Sequence, residues 1–404
     1  MAGAPGAPRR LGFDAIRALH NRTGLGNYAR HILDGLAEAD PARELHLYTP
    51  RPAAPDLAPW AERLGATIHL PPAGWRRPGS RALWRTSRLG RTARTDGIEL
   101  YHGLTHEIPR DLPRRGIRSV VSVPDLLYLT RPELFGWADR HSYTWRYRWS
   151  AEHADAVIAI SSGTRADLLA HFRVAPERVA VVPPAVDPRY LAPVEATTVD
   201  AVRNRLDLRG PYLLAVGTLE PRKNQQLAVD ALATWPDGPT LVLAGRDGGS
   251  AAALAARATA RSLRSRVRIV TDASDVELPA LVAGAASACY LSTGEGFGMP
   301  IVEALAAGVP VVATAGANLE DAGGTVVDYV PADDPDAVAK AWQGHLAPDA
   351  SAPAAREARV AHARRFDRRT LAMRLLAIYD AVHRGDPLPT PDDLTIPQPA
   401  KDGP

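Results

Sequence analysis

Cysteine occurs once in the 404-residue chain, at Cys289, which excludes an intrachain disulfide and any multi-cysteine metal centre. Its apolar surroundings, Ala285 to Leu291, mark it as a buried small hydrophobe rather than a nucleophile. Lysine is almost as scarce: Lys223, Lys340 and Lys401 are the only three, and every other basic residue is arginine. The 48 basic and 45 acidic side chains nearly cancel to a net charge of +3. That is too small to steer a polyanion, so nucleic acid is not an expected partner. No apolar run approaches the length of a membrane span, and the opening MAGAPGAPRRLGFDAI lacks the hydrophobic core of a signal peptide. The expected location is the cytoplasm. Acidic pairs at strand ends are missing too; Asp333 and Asp334 precede a late helix and read as capping or surface residues, so no dedicated metal is expected.

What the chain has is short alternation. Its 32 glycines and 36 prolines fall between repeated units of strand and helix. Strand candidates at 11–16, 45–49, 66–70, 98–102, 118–123 and 155–160 alternate with helical segments such as 28–38 and 138–151. In the first of these, Ile32, Leu33 and Leu36 share one face. A second series at 212–216, 240–244, 267–271, 287–291 and 310–313 alternates with helical segments at 224–234, 250–264, 275–286, 300–307 and 334–344. This alternation specifies α/β units around mostly parallel sheets, and the length exceeds what one core organises. Two Rossmann-like, doubly wound domains are expected, at 1–190 and 191–367. A docking helix follows at 368–383, with Leu371, Leu375, Ile378 and Val382 on one stripe, and then a Pro- and Asp-rich disordered tail at 384–404.

In open parallel sheets, ligands collect at the carboxyl ends of strands. Gly217-Thr-Leu-Glu-Pro-Arg-Lys-Asn224 follows such a strand. Arg222 and Lys223, beside a helix start, can hold a diphosphate through charge and oriented N–H groups; a solvent-facing pair after a proline turn is the plainer reading. Gly294-Glu-Gly-Phe-Gly-Met-Pro-Ile-Val-Glu-Ala-Leu305 follows another strand, with Pro300 in the first turn of a helix. Glu295 on the loop and Glu303 about one turn into the helix are spaced for one carboxylate to meet a sugar and the other a ribose. Helix-end stabilisation is the rival reading of Glu303. Gly296 and Gly298 permit close backbone approach to a ligand. Thr23-Gly-Leu-Gly-Asn-Tyr28 reads as a strand-to-helix turn carrying Gly24 and Gly26. It falls short of the GxGxxG fingerprint, which weakens a nicotinamide dehydrogenase.

The order and wording of these segments resemble the retaining glycosyltransferases of family 4 across residues 10–383. The resemblance rests on TGLGNYAR at 23–30, HGLTHEIP at 102–109, VGTLEPRKN at 216–224 and EGFGMPIVEALAAGVPVV at 295–312. ADAVIAISSGTRADLL at 154–169 and ATAGANLEDAGG at 313–324 add support. It implies a GT-B fold, in which two Rossmann-like domains face an interdomain cleft and the C-terminal helix crosses back to the first domain. It also implies transfer of a hexose-type group from a nucleotide diphosphate sugar, the donor substrate, to an acceptor hydroxyl with retained configuration and no separate cofactor. On the matching positions Arg222 and Lys223 would contact the diphosphate, Glu295 the donor sugar and Glu303 the ribose. Phe297, Gly298 and Met299 would bring backbone to sugar and phosphate, close to Gly217 and Thr218, with Arg246 assisting from the adjacent strand end. Gly24 and Gly26 would be the first domain's glycine turn.

The pattern departs at VVSVPDLLYL, residues 120–129, where the family commonly has His before Asp. This chain has Pro124, which carries no side-chain donor. Asp125 remains, and His106 and His102 are the imidazoles nearby in sequence that can replace the contact, each also readable as loop packing. Thr218 stands where some relatives have Arg. Two other functions stay open: a sugar-nucleotide phosphorylase or hydrolase on the same fold, and a sugar-nucleotide-binding sensor or interaction protein without transferase activity. The acceptor stays open among a glycan, a lipid-linked sugar and a small-molecule natural product, as do the donor base and the oligomeric state. The Arg-rich stretch 76–94, with Trp84 and Leu89, reads first as a solvated helix face. Weak peripheral contact with the inner face of the cell membrane is its second reading.

Overall fold

A computed structural model describes residues 6–390; of the tail expected at 384–404, residues 391–404 lie outside the described residues. The chain forms two compact units, one running to Ala185 and resuming from Arg368, the other spanning Val186–Asp367.

The first unit is built on seven strands: β1 (Arg10–Asp14), β2 (Glu44–Tyr48), β3 (Thr67–His69), β4 (Leu100–Gly103), β5 (Arg118–Val123), β6 (Ala156–Ala159) and β7 (Val179–Val181). They lie in the order β3-β2-β1-β4-β5-β6-β7, all parallel, with Leu11 paired to Leu45 on one side and Leu100 on the other. The strands are apolar on both faces because helices cover both faces; every residue of β4 and β6 is buried. The second unit repeats the plan with β8 (Tyr212–Val216), β9 (Thr240–Ala244), β10 (Val267–Val270), β11 (Ser287–Tyr290), β12 (Val311–Thr314) and β13 (Asp328–Val330). Its parallel order is β10-β9-β8-β11-β12-β13. In each sheet the order reverses beside the unit's first strand, between β1 and β4 and between β8 and β11. These are the switch points where a crevice opens at the strand ends. The edge strands β7 and β13 were not anticipated.

Two local readings change. Gly24 and Gly26 do not form a strand-to-helix turn: a short helix, Ile16–His20, intervenes, and Gly24 opens the helix Gly24–Ala39. Gly26 is glycine because a Cβ there would overlap the Asn21 carbonyl oxygen. The stretch 76–94 holds two helices, Pro78–Ser87 and Leu89–Thr95; Trp84 and Leu89 face inward, while Leu83 is exposed. Trp84 and Leu89 are almost fully buried, and the Trp84 indole donates to Thr92 Oγ1 at 3.2 Å, so neither is available to a lipid surface.

The helix Arg368–Arg384 packs on the helix Gly24–Ala39 within the first unit. Its stripe of Leu371, Leu375, Ile378 and Val382 is buried as its spacing requires. Arg368 pairs with Asp34 at 3.2 Å and with Glu38, and Asp380 pairs with Arg43 at 2.8 Å. Beneath this face runs a buried polar chain. Tyr379 Oη lies 2.6 Å from His102 Nδ1, His102 Nε2 lies 2.9 Å from Ser122 Oγ, and Tyr28 Oη donates to Ser122 Oγ at 2.8 Å. Burial pushes the His102 imidazole down to about 3, so it stays neutral. Tyr379→Phe removes one partner and leaves a buried ring nitrogen unsatisfied, which costs about 1–3 kcal/mol. Urea denaturation should show the first unit losing stability in that range, and an unchanged midpoint would contradict the role given to this chain of bonds.

Candidate functional site

β8 ends at Val216, and the chain turns through Gly217 and Thr218 into a single 3-10 turn, Pro221–Lys223. Pro221 sets the start of that turn. Asn224 then adopts a left-handed conformation (φ 53°), its amide donates to Ala332 O at 2.9 Å, and the helix Gln225–Ala233 begins. Leu219 N donates to Arg246 O at 2.8 Å, so the loops carrying Thr218 and Arg246 lie side by side, with the Arg246 residue exposed.

The loop after β11 is tied to this turn. Thr293 N donates to Arg222 O at 2.9 Å, and Arg222 Nη1 donates to Gly294 O at 2.8 Å. Glu295 thereby meets both cations: its Oε1 lies 2.6 Å from Lys223 Nζ and 2.6 Å from Arg222 Nη1. Lys223 also donates to Tyr290 Oη at 2.6 Å, while Arg222 Nη2 reaches Glu220 Oε1 at 2.7 Å. On its far side the loop is held by Glu295 N donating to Ala317 O at 3.1 Å and Asn318 Nδ2 donating to Glu295 O at 3.3 Å. Burial alone would raise the Glu295 pKa, but the charges of Lys223 and Arg222 outweigh it and hold the carboxyl below its ordinary value. The plainer reading of Arg222 and Lys223 as a solvent-facing pair is not what the fold shows, since their side chains are only 20% and 12% exposed.

The loop ends at Gly298, whose φ of 107° favours glycine and where a Cβ would sit 2.7 Å from Leu319. The helix Met299–Ala306 starts there, with Pro300 in its first turn and Glu303 as its fifth residue. Phe297 is buried and packs edge-on against Phe366, so it anchors the loop. Glu303 is in a different electrostatic position from Glu295. Burial first, and then the charge of Asp187, push its carboxyl up to about 7, against a smaller opposing effect of Arg189. Tyr290, which the sequence reading treated only as strand core, feels the charges of both carboxylates and bonds Lys223.

In the first unit, His106 and Asp125 come together. His106 is left-handed (φ 62°), its N–H donates to Ser122 O at 2.7 Å, its Nε2 lies 2.9 Å from Asp125 O, and its ring stacks on Tyr147 at 4.3 Å. The Asp125 carboxylate accepts from Leu127 N at 3.1 Å. His102 is fully buried with both nitrogens bonded inside the unit, so it packs the fold and offers no ligand contact. Ser287, His345 and Asp328 form a hydroxyl–imidazole–carboxylate series, at 2.7 and 2.9 Å, but the Ser287 residue is 0% exposed and no substrate can reach it. Among the described residues no group of three or more His, Cys, Asp or Glu could hold a metal, and no helix is long and apolar enough to cross a membrane.

Two doubly wound parallel sheets, flanked by helices and joined by a C-terminal helix that returns to the first unit, define a GT-B architecture. The family described as Glycosyltransferase Family 4 matches residues 22–190, and the one described as Glycosyl transferases group 1 matches residues 198–340, so both units are recognised. The chain belongs to this glycosyltransferase family. It is similar to a D-inositol 3-phosphate glycosyltransferase of Salinispora tropica, 34% identical over 56% of this chain and 51% of that protein. It is also similar to the O-antigen chain mannosyltransferase B of Escherichia coli, 28% identical over 59% of this chain and 63% of that one. The chain thus spans roughly half to two thirds of these curated relatives. Among solved structures, HepE of Anabaena in complex with UDP superposes with a TM-score of 0.71 at 20% identity, covering 91% of this chain and 98% of that one. Sucrose-phosphate synthase of Thermosynechococcus elongatus gives 0.74 at 19%, covering 94% and 100%. These two likenesses show the fold.

The raised Glu303 pKa has a sign that can be checked. The carboxyl takes up a proton on folding between its ordinary value of 4.5 and about 7. Unfolding free energy therefore falls as pH rises through that window, because the folded state holds more protons there. Urea titrations at several pH values should show this slope in the parent and a shallower one in Glu303→Gln; parallel slopes would mean that Glu303 titrates normally.

Proposed function

We propose that the protein is a retaining glycosyltransferase that moves a sugar from a nucleotide diphosphate sugar to an acceptor hydroxyl. The observation that carries this reading is the meeting of Arg222, Lys223 and Glu295 at the β8–β11 switch point, with Glu303 on the following helix. The second unit holds the donor. Arg222 and Lys223 take the diphosphate, whose negative charge grows as the sugar departs, and fixed cations in a partly desolvated site stabilise that growth. In binding it they turn from Glu295, which is released to accept hydroxyls of the transferred sugar. Glu303 accepts the ribose hydroxyls, and Gly217, Thr218, Gly298 and Met299 supply close backbone, with Arg246 at the rim. The first unit supplies acceptor-side groups: the helix start at Gly24 and Gly26, and the joined pair Asp125 and His106. His106 takes the place of the imidazole that Pro124 lacks. The charge of the diphosphate is met by protein groups, so no metal is needed.

The relatives act in two settings that bear on the acceptor: one is named for an inositol phosphate and one for an O-antigen chain. A glycan, a lipid-linked sugar or a small polyol of secondary metabolism is accordingly the acceptor class, and the cytoplasm is the place of the reaction.

A panel of nucleotide diphosphate sugars, offered with sugar, lipid-linked and polyol acceptors and with water and phosphate alone, identifies the reaction by its product. Lys223→Ala and Glu303→Ala should each weaken donor binding at least tenfold, about 1.4 kcal/mol, in calorimetric titrations. Unchanged affinity and turnover in both folded variants would remove the reading. Pro124→His should shift the order of preference across the donor panel, and an identical order would show that this position does not select the donor.

A further inference from the structure

The first unit carries a groove that none of the strand-end chemistry uses. It runs along the outer face of the helix Trp137–His153, where a ring recurs at every fourth residue: Trp137, His141, Trp145, Trp149 and His153. Neighbouring turns bring these rings together, His141 lying 4.2 Å from Trp137 and His153 4.5 Å from Trp149. A row of indoles at helical spacing ordinarily belongs to a core. Here only Trp149 packs partly against the core, while Trp137 is 72% exposed and Trp145 63%. Tyr143 and Tyr147, on another face of the same helix, make the remaining core contact against Tyr128.

The groove has a volume of about 500 Å³, and its walls include Arg140, His141, Trp145, Arg148, Trp149 and Glu152. The Arg110 guanidinium carbon lies over the Trp145 ring, 3.6 Å from its centroid. Arg140 has its Nε buried without a hydrogen-bond partner. Three chemistries therefore meet in one recess. Indole faces suit the C–H faces of pyranose rings, guanidinium groups suit a carboxylate or phosphate, and the Glu152 carboxylate accepts hydroxyls. A flat anionic lipid surface fits less well, because Trp149 and Arg140 are half-buried in the walls and Glu152 would face the lipid charge. The volume falls within the range of ligand sites, roughly 300–1,000 Å³.

We propose that this groove binds an anionic saccharide, a chain of sugar rings bearing carboxylate or phosphate groups. The assignment does not depend on the transferase reading, because its residues are separate from those given to the donor. Calorimetric titration of the full chain with tetragalacturonate and with uncharged maltotetraose tests it. Tetragalacturonate should bind at least tenfold more tightly than maltotetraose. Trp145→Ala and the double variant Arg140→Ala/Arg148→Ala should each weaken it tenfold or more at an unchanged thermal midpoint, while Trp145→Phe retains most of the affinity. Equal affinity in parent and variants overturns the assignment. So does failure of both saccharides to bind, whether or not phosphatidylglycerol vesicles are bound instead.

Discussion

The second unit depends on a buried cluster of charge that joins two strand ends. Arg222 and Lys223 stand after β8, Glu295 after β11, and the three meet within 2.6 Å contacts. Taking such groups from water costs several kcal/mol each, and only mutual neutralisation and good hydrogen-bond geometry return it. Tyr290 and the Gly294 carbonyl supply that geometry. Two cations against one carboxylate leave an excess positive charge inside, met at the rim by Glu220. Counted with Glu220 the cluster is neutral, so its buried charges are balanced by one another before any ligand arrives.

The same unit sets two carboxyls apart. Glu295 is held low by adjacent cations, while burial and then the charge of Asp187 push Glu303 up to about 7. Sequence alone presents them as an equivalent pair eight residues apart, and only the fold shows that one stays charged and the other sits near its midpoint at neutral pH. Separated titration of two acids in one site is a familiar route to distinct chemical roles.

Much of this was legible from the chain. The strands at 212–216 and 240–244 are found where their apolar runs place them, because parallel strands covered on both faces must be continuously hydrophobic. Cys289 is buried in β11, where its thiol is pushed up to about 12, as its apolar neighbours required. What escaped has physical reasons. The helix Ile16–His20 is only five residues long, too short to show a helical period. Glycines at 24 and 26 suggested a turn by their conformational freedom, whereas Gly26 is needed for its small size beneath the Asn21 carbonyl. Trp84 and Trp145 both sit among arginines in sequence, yet one is buried and the other open; arginine-rich surroundings do not reveal which way an indole points.

Pro124 is buried, and its backbone carbonyl accepts from Thr164 Oγ1 at 3.4 Å, which ties the end of β5 to the helix Ser162–His171. An imidazole nevertheless occupies the neighbourhood, because His106 reaches the Asp125 backbone from the loop after β4. Holding it there needs a left-handed backbone at a non-glycine residue, a conformation that costs of order 1–3 kcal/mol and persists only where surrounding contacts enforce it. The bond from His106 N to Ser122 O and the stack on Tyr147 are those contacts. A strained, well-anchored histidine beside Asp125 is costly as mere loop packing, and that cost is the argument for giving His106 a share in the site.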